Sequence, residues 1–384
     1  MGFSQRMDAV PEYATARLNR AIAEAKSRGV DVISFGIGDP DLPPDPRLRL
    51  RLAEETQRDD AARYPTNHGE SNLREAVADY YLRRFGVCVD PATEVLPLLG
   101  AKEGIAHLAV ALLDPGDVAL IADPGYPVYA SGPLIAGAAS YPLPLRPEHG
   151  FQPELGEIPV ELAAKARLLV CGYPNNPTGA LAGPTLYTDL GAYAADHDLV
   201  LCHDNAYADI VFEGPPAASA LAEASFRAHG IEILSLSKTY SIPGWRIAFA
   251  VGNPDVIAAM LRLKTHIDSG MFLALQRTAA WLLRDEDSAG PPLETYRARR
   301  DEACRQLAAI GLPVTPPAGG MYLWVPIPTS ETSLAFADRL LHDAAVVVTP
   351  GVAYGAAGEG FVRMALTVSE DRLSEAIDRI GRVL

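Results

Sequence analysis

Short runs of unbroken apolar residues alternate along the chain with longer stretches in which apolar and polar positions repeat at a helical period. VALIAD (118–123), RLLVCGYP (167–174), LVLCHD (199–204) and IEILSLS (231–237) predict strands covered on both faces. Ser71 to Phe85, Lys102 to Leu113 and Thr185 to His197 predict helices. This alternation points to an α/β fold with a mostly parallel sheet between helices. Past residue 289 the pattern changes. An arginine-rich helical stretch, Leu293 to Ile310, leads into GGMYLWVPIP, AAVVVTPG and FVRMALT, then into a last helix, Asp371 to Leu384. Those elements predict a smaller α+β domain. The expected division is 31–288 as the large domain, with 1–30 and 289–384 forming the small one.

Sheets of this kind gather polar chemistry in the loops after the strands' carboxyl ends. Asp123-Pro-Gly-Tyr126 follows the first run and Tyr173-Pro-Asn-Asn-Pro-Thr-Gly179 the second. His203-Asp-Asn-Ala-Tyr207 ends the third, and Ser235-Leu-Ser-Lys238 the fourth. Alone, Asp204-x-x-Tyr207 reads as a turn, Tyr126 as a packing aromatic and Arg363 as half of a surface ion pair. Together, on successive strand ends, they point to one shared site.

The 384 residues suffice for a two-domain subunit. With 33 basic and 48 acidic side chains the net charge is −15, so phosphate backbones and anionic membranes are repelled. Neither nucleic acid nor membrane is expected as a partner. No stretch reaches the roughly 18–20 apolar residues of a membrane helix, and MGFSQRMDAVPEY lacks the apolar core of a secretory leader. Cys88, Cys171, Cys202 and Cys304 form no C-x-x-C pair or zinc spacing, so reduced thiols, no metal and a cytoplasmic location are expected.

The segment SLSKTYSIPGWRIA (235–248) holds the strongest signal. Lys238 ends what reads as a buried strand, and burying an ammonium is costly. Desolvation is also what frees a lysine amine for covalent chemistry. Ser235, Ser237 and Arg246 supply hydroxyls and a guanidinium suited to a phosphate dianion. This segment resembles the cofactor-attachment signature of the class I/II aminotransferases, enzymes of fold type I that use pyridoxal 5'-phosphate (PLP). GIGDPD (36–41), LGAKEGIAHL (99–108), DPGYPVY (123–129), YPNNPTG (173–179), HDNAYADIVF (203–212) and HIDSGMF (266–272) extend the resemblance from about Arg6 to the last helix. In detail the chain is similar to the LL-diaminopimelate aminotransferases and their alanine-aminotransferase-like relatives.

The resemblance implies a seven-stranded, mostly parallel sheet, PLP as cofactor, and an amino acid and a 2-oxo acid as substrates. It also implies a homodimer with shared sites. It makes Lys238 the covalent attachment point and general base, and Asp204 the partner of the pyridine nitrogen. Tyr207 and Asn176 would bond the ring's phenolic oxygen, and Tyr126 would stack on the ring. Ala101, Lys102, Ser235, Ser237 and Arg246 would form the phosphate cup, with Tyr64 reaching in from the second subunit. Arg363, helped by Gly38, would clamp the substrate α-carboxylate.

The chain departs from the diaminopimelate-type pattern in two places. YPTNHGES has Asn67 and His68 where a glutamate usually precedes glycine, and His266 stands where asparagine is common. Losing that acid predicts weaker selection for a distal ammonium, and a polar, aromatic or anionic side chain instead. The same residues serve β-lyases, decarboxylases and PLP oxidases, so those chemistries, and transamination of LL-diaminopimelate itself, stay open. A non-enzymatic PLP sensor would need an added basic DNA-binding domain, for which the motifs, beginning at Gly36, leave no room.

Overall fold

The structure is a computed structural model that describes residues 4–12, 14–285, 290–328 and 330–384. Its strands are β1 (Ile33–Ser34), β2 (Val95–Leu98), β3 (Val118–Asp123), β4 (Ala139–Pro144), β5 (Ala166–Cys171) and β6 (Val200–Asn205). Then follow β7 (Gly230–Ser235), β8 (Ala248–Gly252), β9 (Tyr322–Pro326), β10 (Val346–Val347), β11 (Thr349–Pro350) and β12 (Phe361–Ala365). The fold is α/β. Its main sheet has seven strands in the order β2-β8-β7-β6-β5-β3-β4. Every pairing is parallel except the two made by β8. Every residue of β2, β3, β7 and β8 is buried, as strands with helices on both faces must be.

The runs read as strands appear as β3, β5, β6 and β7, and the helices form at Ser71–Phe85, Ala101–Leu112 and Leu186–His197. β2, β4 and β8 were not foreseen. β4 is an edge strand with two prolines and half of its residues exposed, so it lacks the unbroken apolar signature of its neighbours.

The expected strand at 231–237 is shorter than read. β7 ends at Ser235, whose hydroxyl accepts from the Ser237 amide and caps a one-turn helix, Leu236–Thr239. Lys238 therefore sits on that helix and not on the strand. It is half-buried.

A second core gathers β9, β12, β11, β1 and β10 with the helices Leu293–Ala309, Ser333–Ala344 and Glu370–Gly381. Ile33 and Phe35 belong to it because β1 pairs in parallel with β10, although the expected division put them in the large domain. The expected boundary at 288–289 lies outside the described residues. Near the N-terminus, Arg6 donates to the Ile135 carbonyl at 3.3 Å and so touches the large unit.

The antiparallel β8 positions the site. A parallel successor to β7 would need a long crossover. β8 instead turns straight back, so segment 236–247 stays at the carboxyl edge of the sheet. Ala248 faces Ser235 on one side and Leu98 on the other. This register brings three places together: Lys238, Arg246, and the start of the helix that follows β2.

Candidate active site

A pocket of about 250 Å³ opens at this edge. Twelve of the residues singled out in the sequence line it: Gly38, Ala101, Lys102, Tyr126, Asn176, Asp204, Tyr207, Ser235, Ser237, Lys238, Arg246 and Arg363. Leu18, Ile37, Tyr322, Thr349, Ala353 and Tyr354 complete much of the wall.

Asp204 stands near the end of β6 and is buried. Its Oδ2 accepts from the Tyr129 hydroxyl at 3.0 Å, while Oδ1, also buried, has no hydrogen-bond partner among the described residues. Burial pushes the carboxyl above its ordinary range, against the Tyr129 hydrogen bond. An unmet buried acceptor costs about 1–3 kcal/mol, so Oδ1 marks a place for an N–H donor. Side chains alternate along a strand, so His203 points to the opposite face. There its Nδ1 lies 3.0 Å from Glu232, and its Nε2 accepts from the Tyr173 amide at 3.2 Å. Burial pushes the Glu232 carboxyl up, but the hydrogen bonds from His203 and the Ala220 amide outweigh it and hold it below its usual range.

The cup forms where three chain segments converge. Gly100, at φ 96°, precedes the helix Ala101–Leu112. A Cβ there would lie 2.0 Å from Arg246 Nη2 and would displace the guanidinium, and the positive φ also favours glycine. Lys102 Nζ sits 5.8 Å from the Tyr126 ring centroid. Helix-opening amides, two cations and the Ser235 and Ser237 hydroxyls make a donor set for a phosphate dianion.

Lys238 Nζ donates to the Gly38 carbonyl at 2.5 Å. Gly38, expected beside the carboxylate clamp, lines the pocket, and Arg363 donates through Nη2 to Gly36 O at 2.9 Å and through Nη1 to Asn176 Oδ1 at 3.0 Å. With its oxygen so engaged, Asn176 has its amide nitrogen left for the pocket. Tyr207 and Tyr322 share a hydroxyl–hydroxyl bond of 2.8 Å.

The remaining expected residues do not line this pocket. Tyr64 is 88% exposed. Asn67 and His68 are half-buried and His266 is exposed. Segments 64–69 and 266–272 pack together, since a Cβ on Gly270 would meet Thr66 O at 3.0 Å. Burial and nearby Arg74 hold the His68 imidazole below its ordinary pKa despite a hydrogen bond with the Val95 backbone. Sequence reading missed Tyr129, Tyr322 and the His203–Glu232 pair. The traces were a tyrosine three residues past Tyr126, a phenol opening the apolar run YLWV, and two ionisable residues inside strands.

A family model described as "Aminotransferase class I and II" matches residues 30–380. The chain belongs to the class I and II aminotransferases. An LL-diaminopimelate aminotransferase of Moorella thermoacetica is 44% identical over 382 residues, 99% of this chain and 98% of the relative. The apo structure of BacF from Bacillus subtilis superposes with a TM-score of 0.95 at 36% identity, covering 100% of this chain and 99% of that one. An aromatic aminotransferase from Pyrococcus horikoshii gives 0.87 at 30%, covering 94% and 98%. Members of the family are PLP enzymes that act on an amino acid and a 2-oxo acid. The residues here fit that cofactor: the buried open oxygen of Asp204, the glycine-lined cup at Arg246 and the amine of Lys238 face one pocket. Among the described residues no helix is long and apolar enough to cross a membrane.

Proposed function

We propose that this aminotransferase takes its amino group from an L-amino acid whose side chain bears no distal ammonium, and passes it to a 2-oxo acid such as 2-oxoglutarate or pyruvate. The observation that supports this choice is the wall chemistry. Among the described lining residues Asp204 is the one carboxylate, and it belongs to the cofactor end. Leu18, Ile37 and Ala353 offer apolar surface instead.

Bound in this pocket, PLP supplies an electron sink for the pair released at the substrate's α-carbon. The chain's own groups do the rest. Asp204 Oδ1 would accept the N–H of the ring and, anionic, would keep that proton in place. Tyr207 and the Asn176 amide would donate to the phenolic oxygen. Arg363 would bind the α-carboxylate through paired N–H donors and so fix the orientation of the substrate's α-carbon. Lys238 Nζ takes the α-proton and holds it at the amine. We infer a homodimer in which the exposed Tyr64 of each subunit reaches the other's phosphate cup.

A second reading, transamination of LL-diaminopimelate, is favoured by the 44% identical relative of that name. The test is to load the protein with PLP, add single amino acids, and follow the cofactor spectrum. Conversion by apolar or aromatic amino acids, with little by LL-diaminopimelate, supports the first reading. Fastest conversion by LL-diaminopimelate overturns it in favour of the second. Oxygen uptake or ammonia release would instead mark another PLP chemistry.

A further inference from the structure

Tyr322 lies outside every motif from which the site was read, yet it touches three of its parts. It opens β9, where Trp324 stands opposite Arg363 of β12. Residues two apart on a strand share a face, so Tyr322 and Arg363 project to the same side. The Arg363 guanidinium lies 4.0 Å from the Tyr322 ring centroid and 4.9 Å from that of Tyr354. In its own plane the guanidinium is tied to Asn176 and Gly36. Ring contact restrains its tilt and the hydrogen bonds restrain its rotation. At the far end of the Tyr322 ring, the hydroxyl meets Tyr207 at 2.8 Å. Gly38 presses so close that a Cβ there would lie 2.0 Å from the Tyr322 oxygen.

We infer that Tyr322 is a positioning residue with two separable jobs: its ring face sets the plane of the Arg363 guanidinium, and its hydroxyl sets the direction of the Tyr207 hydrogen bond. A hydroxyl carries one proton. If Tyr207 spends its proton on Tyr322, nothing is left to donate into the pocket. If Tyr322 donates to Tyr207, Tyr207 is free to donate onward. The charges facing the pair favour the second arrangement. Burial pushes the Tyr322 phenol up, but the Arg363 guanidinium against its ring and the Lys238 ammonium in the same pocket outweigh it, so Tyr322 lies below its ordinary value. Burial and the neighbouring Tyr322 push Tyr207 up, with Asp204 adding to this and Arg363 opposing it. The Tyr296 phenol also feels the Tyr322 hydroxyl. Tyr322 is thus the more acidic hydroxyl and the better donor. The pair becomes a two-step chain in which each bond strengthens the next.

The test uses the PLP-loaded enzyme and three variants. Tyr322→Phe keeps the ring and removes the hydroxyl. KM for the amino donor should stay within about 2-fold, because the clamp keeps its ring contact. The pH midpoint of the cofactor's visible absorbance change should rise by roughly half a unit, because Tyr207 then stabilises the phenolic oxygen less well. Tyr322→Met preserves much of the volume but removes both features. It should show the same midpoint shift and a KM raised about 10-fold. Tyr322→Leu takes its place if Tyr322→Met does not fold. An unmoved midpoint in Tyr322→Phe overturns the hydroxyl role. The inference rests on Arg363 being the clamp, so Arg363→Lys is the control. If Arg363→Lys raises KM and Tyr322→Met does not, the ring-face role is wrong and the clamp stands. If Arg363→Lys leaves KM unchanged, the clamp reading has itself failed.

Discussion

Two lysines near the carboxyl edge of the sheet are held in opposite ways. Lys264 ends the helix Pro254–Lys264 and is 1% exposed. Its Nζ donates to Glu103 at 3.1 Å and to Asp268 at 2.8 Å. Glu103 in turn accepts from the Leu99 amide, one residue before the cup glycine. Glu103, His107 and Asp268 cluster as metal ligands would, but the ammonium already supplies the cation. Lys238, by contrast, has a backbone carbonyl as its partner and makes no ion pair among the described residues. A lysine neutralised on two sides is a tie that holds the cup in shape. One left with a single neutral acceptor, facing a pocket, has its amine available for chemistry.

The largest effect should come from Lys238→Ala. Turnover should fall by at least about 10³-fold, with loss of the absorbance that depends on the covalent link. Urea unfolding should move by less than ~0.5 kcal/mol, since little inside the fold depends on that amine. Lys264→Met should behave in the reverse way. It strands two carboxylates whose side chains are 18% exposed, costing about 2–3 kcal/mol after allowance for partial solvation. The folded, PLP-saturated variant should keep turnover within about 10-fold. If Lys264→Met folded but were as inactive as Lys238→Ala, the contrast between tie and reagent would be wrong.

The fold was legible where burial writes a simple pattern. β3, β6 and the helix Ser71–Phe85 lie where their apolar spacing put them. β4 was not legible because an edge strand need not be apolar. The end of β7 was misplaced because Leu236 and Ser237 look like strand, while the Ser235 cap decides otherwise. Residues inside contiguous motifs, such as Asp204 and Tyr207, could be read along the chain. Tyr129 and Tyr322 could not, because their meaning is a contact. Tyr129 reaches Asp204 across 75 positions and Tyr322 reaches Tyr207 across 115. The tertiary fold alone creates those neighbours. Within GIGDPD the contacts divide in the same way: Gly36 O accepts from Arg363 and Thr349, and Gly38 O accepts from Lys238.

The smallest predicted effect concerns two buried carboxylates that repeat the lysine contrast. Glu232 accepts from Tyr81, Ser219, His203 and the Ala220 amide. Asp204 keeps one oxygen open. Their folded-state shifts from the ordinary carboxylate range have opposite signs. A lowered folded pKa stabilises at pH above the unfolded value and is lost on acidification. A raised one leaves the folded state binding more protons than the unfolded chain, so stability falls as pH rises through that window. Cofactor-free protein should therefore lose stability from Asp204 as pH climbs above the ordinary aspartate value of 3.8. Tyr129→Phe removes a donor to the charged form, pushing the folded pKa higher still. Its stability should fall further below wild type by about 1 kcal/mol near neutral pH, with little difference in acid. PLP brings an N–H to Oδ1 and should flatten the wild-type slope. Urea titrations of both proteins at stepped pH, with and without PLP, measure this directly. Parallel pH profiles for the two cofactor-free proteins would mean that Asp204 does not feel Tyr129, and that its open oxygen is not poised for the ring nitrogen.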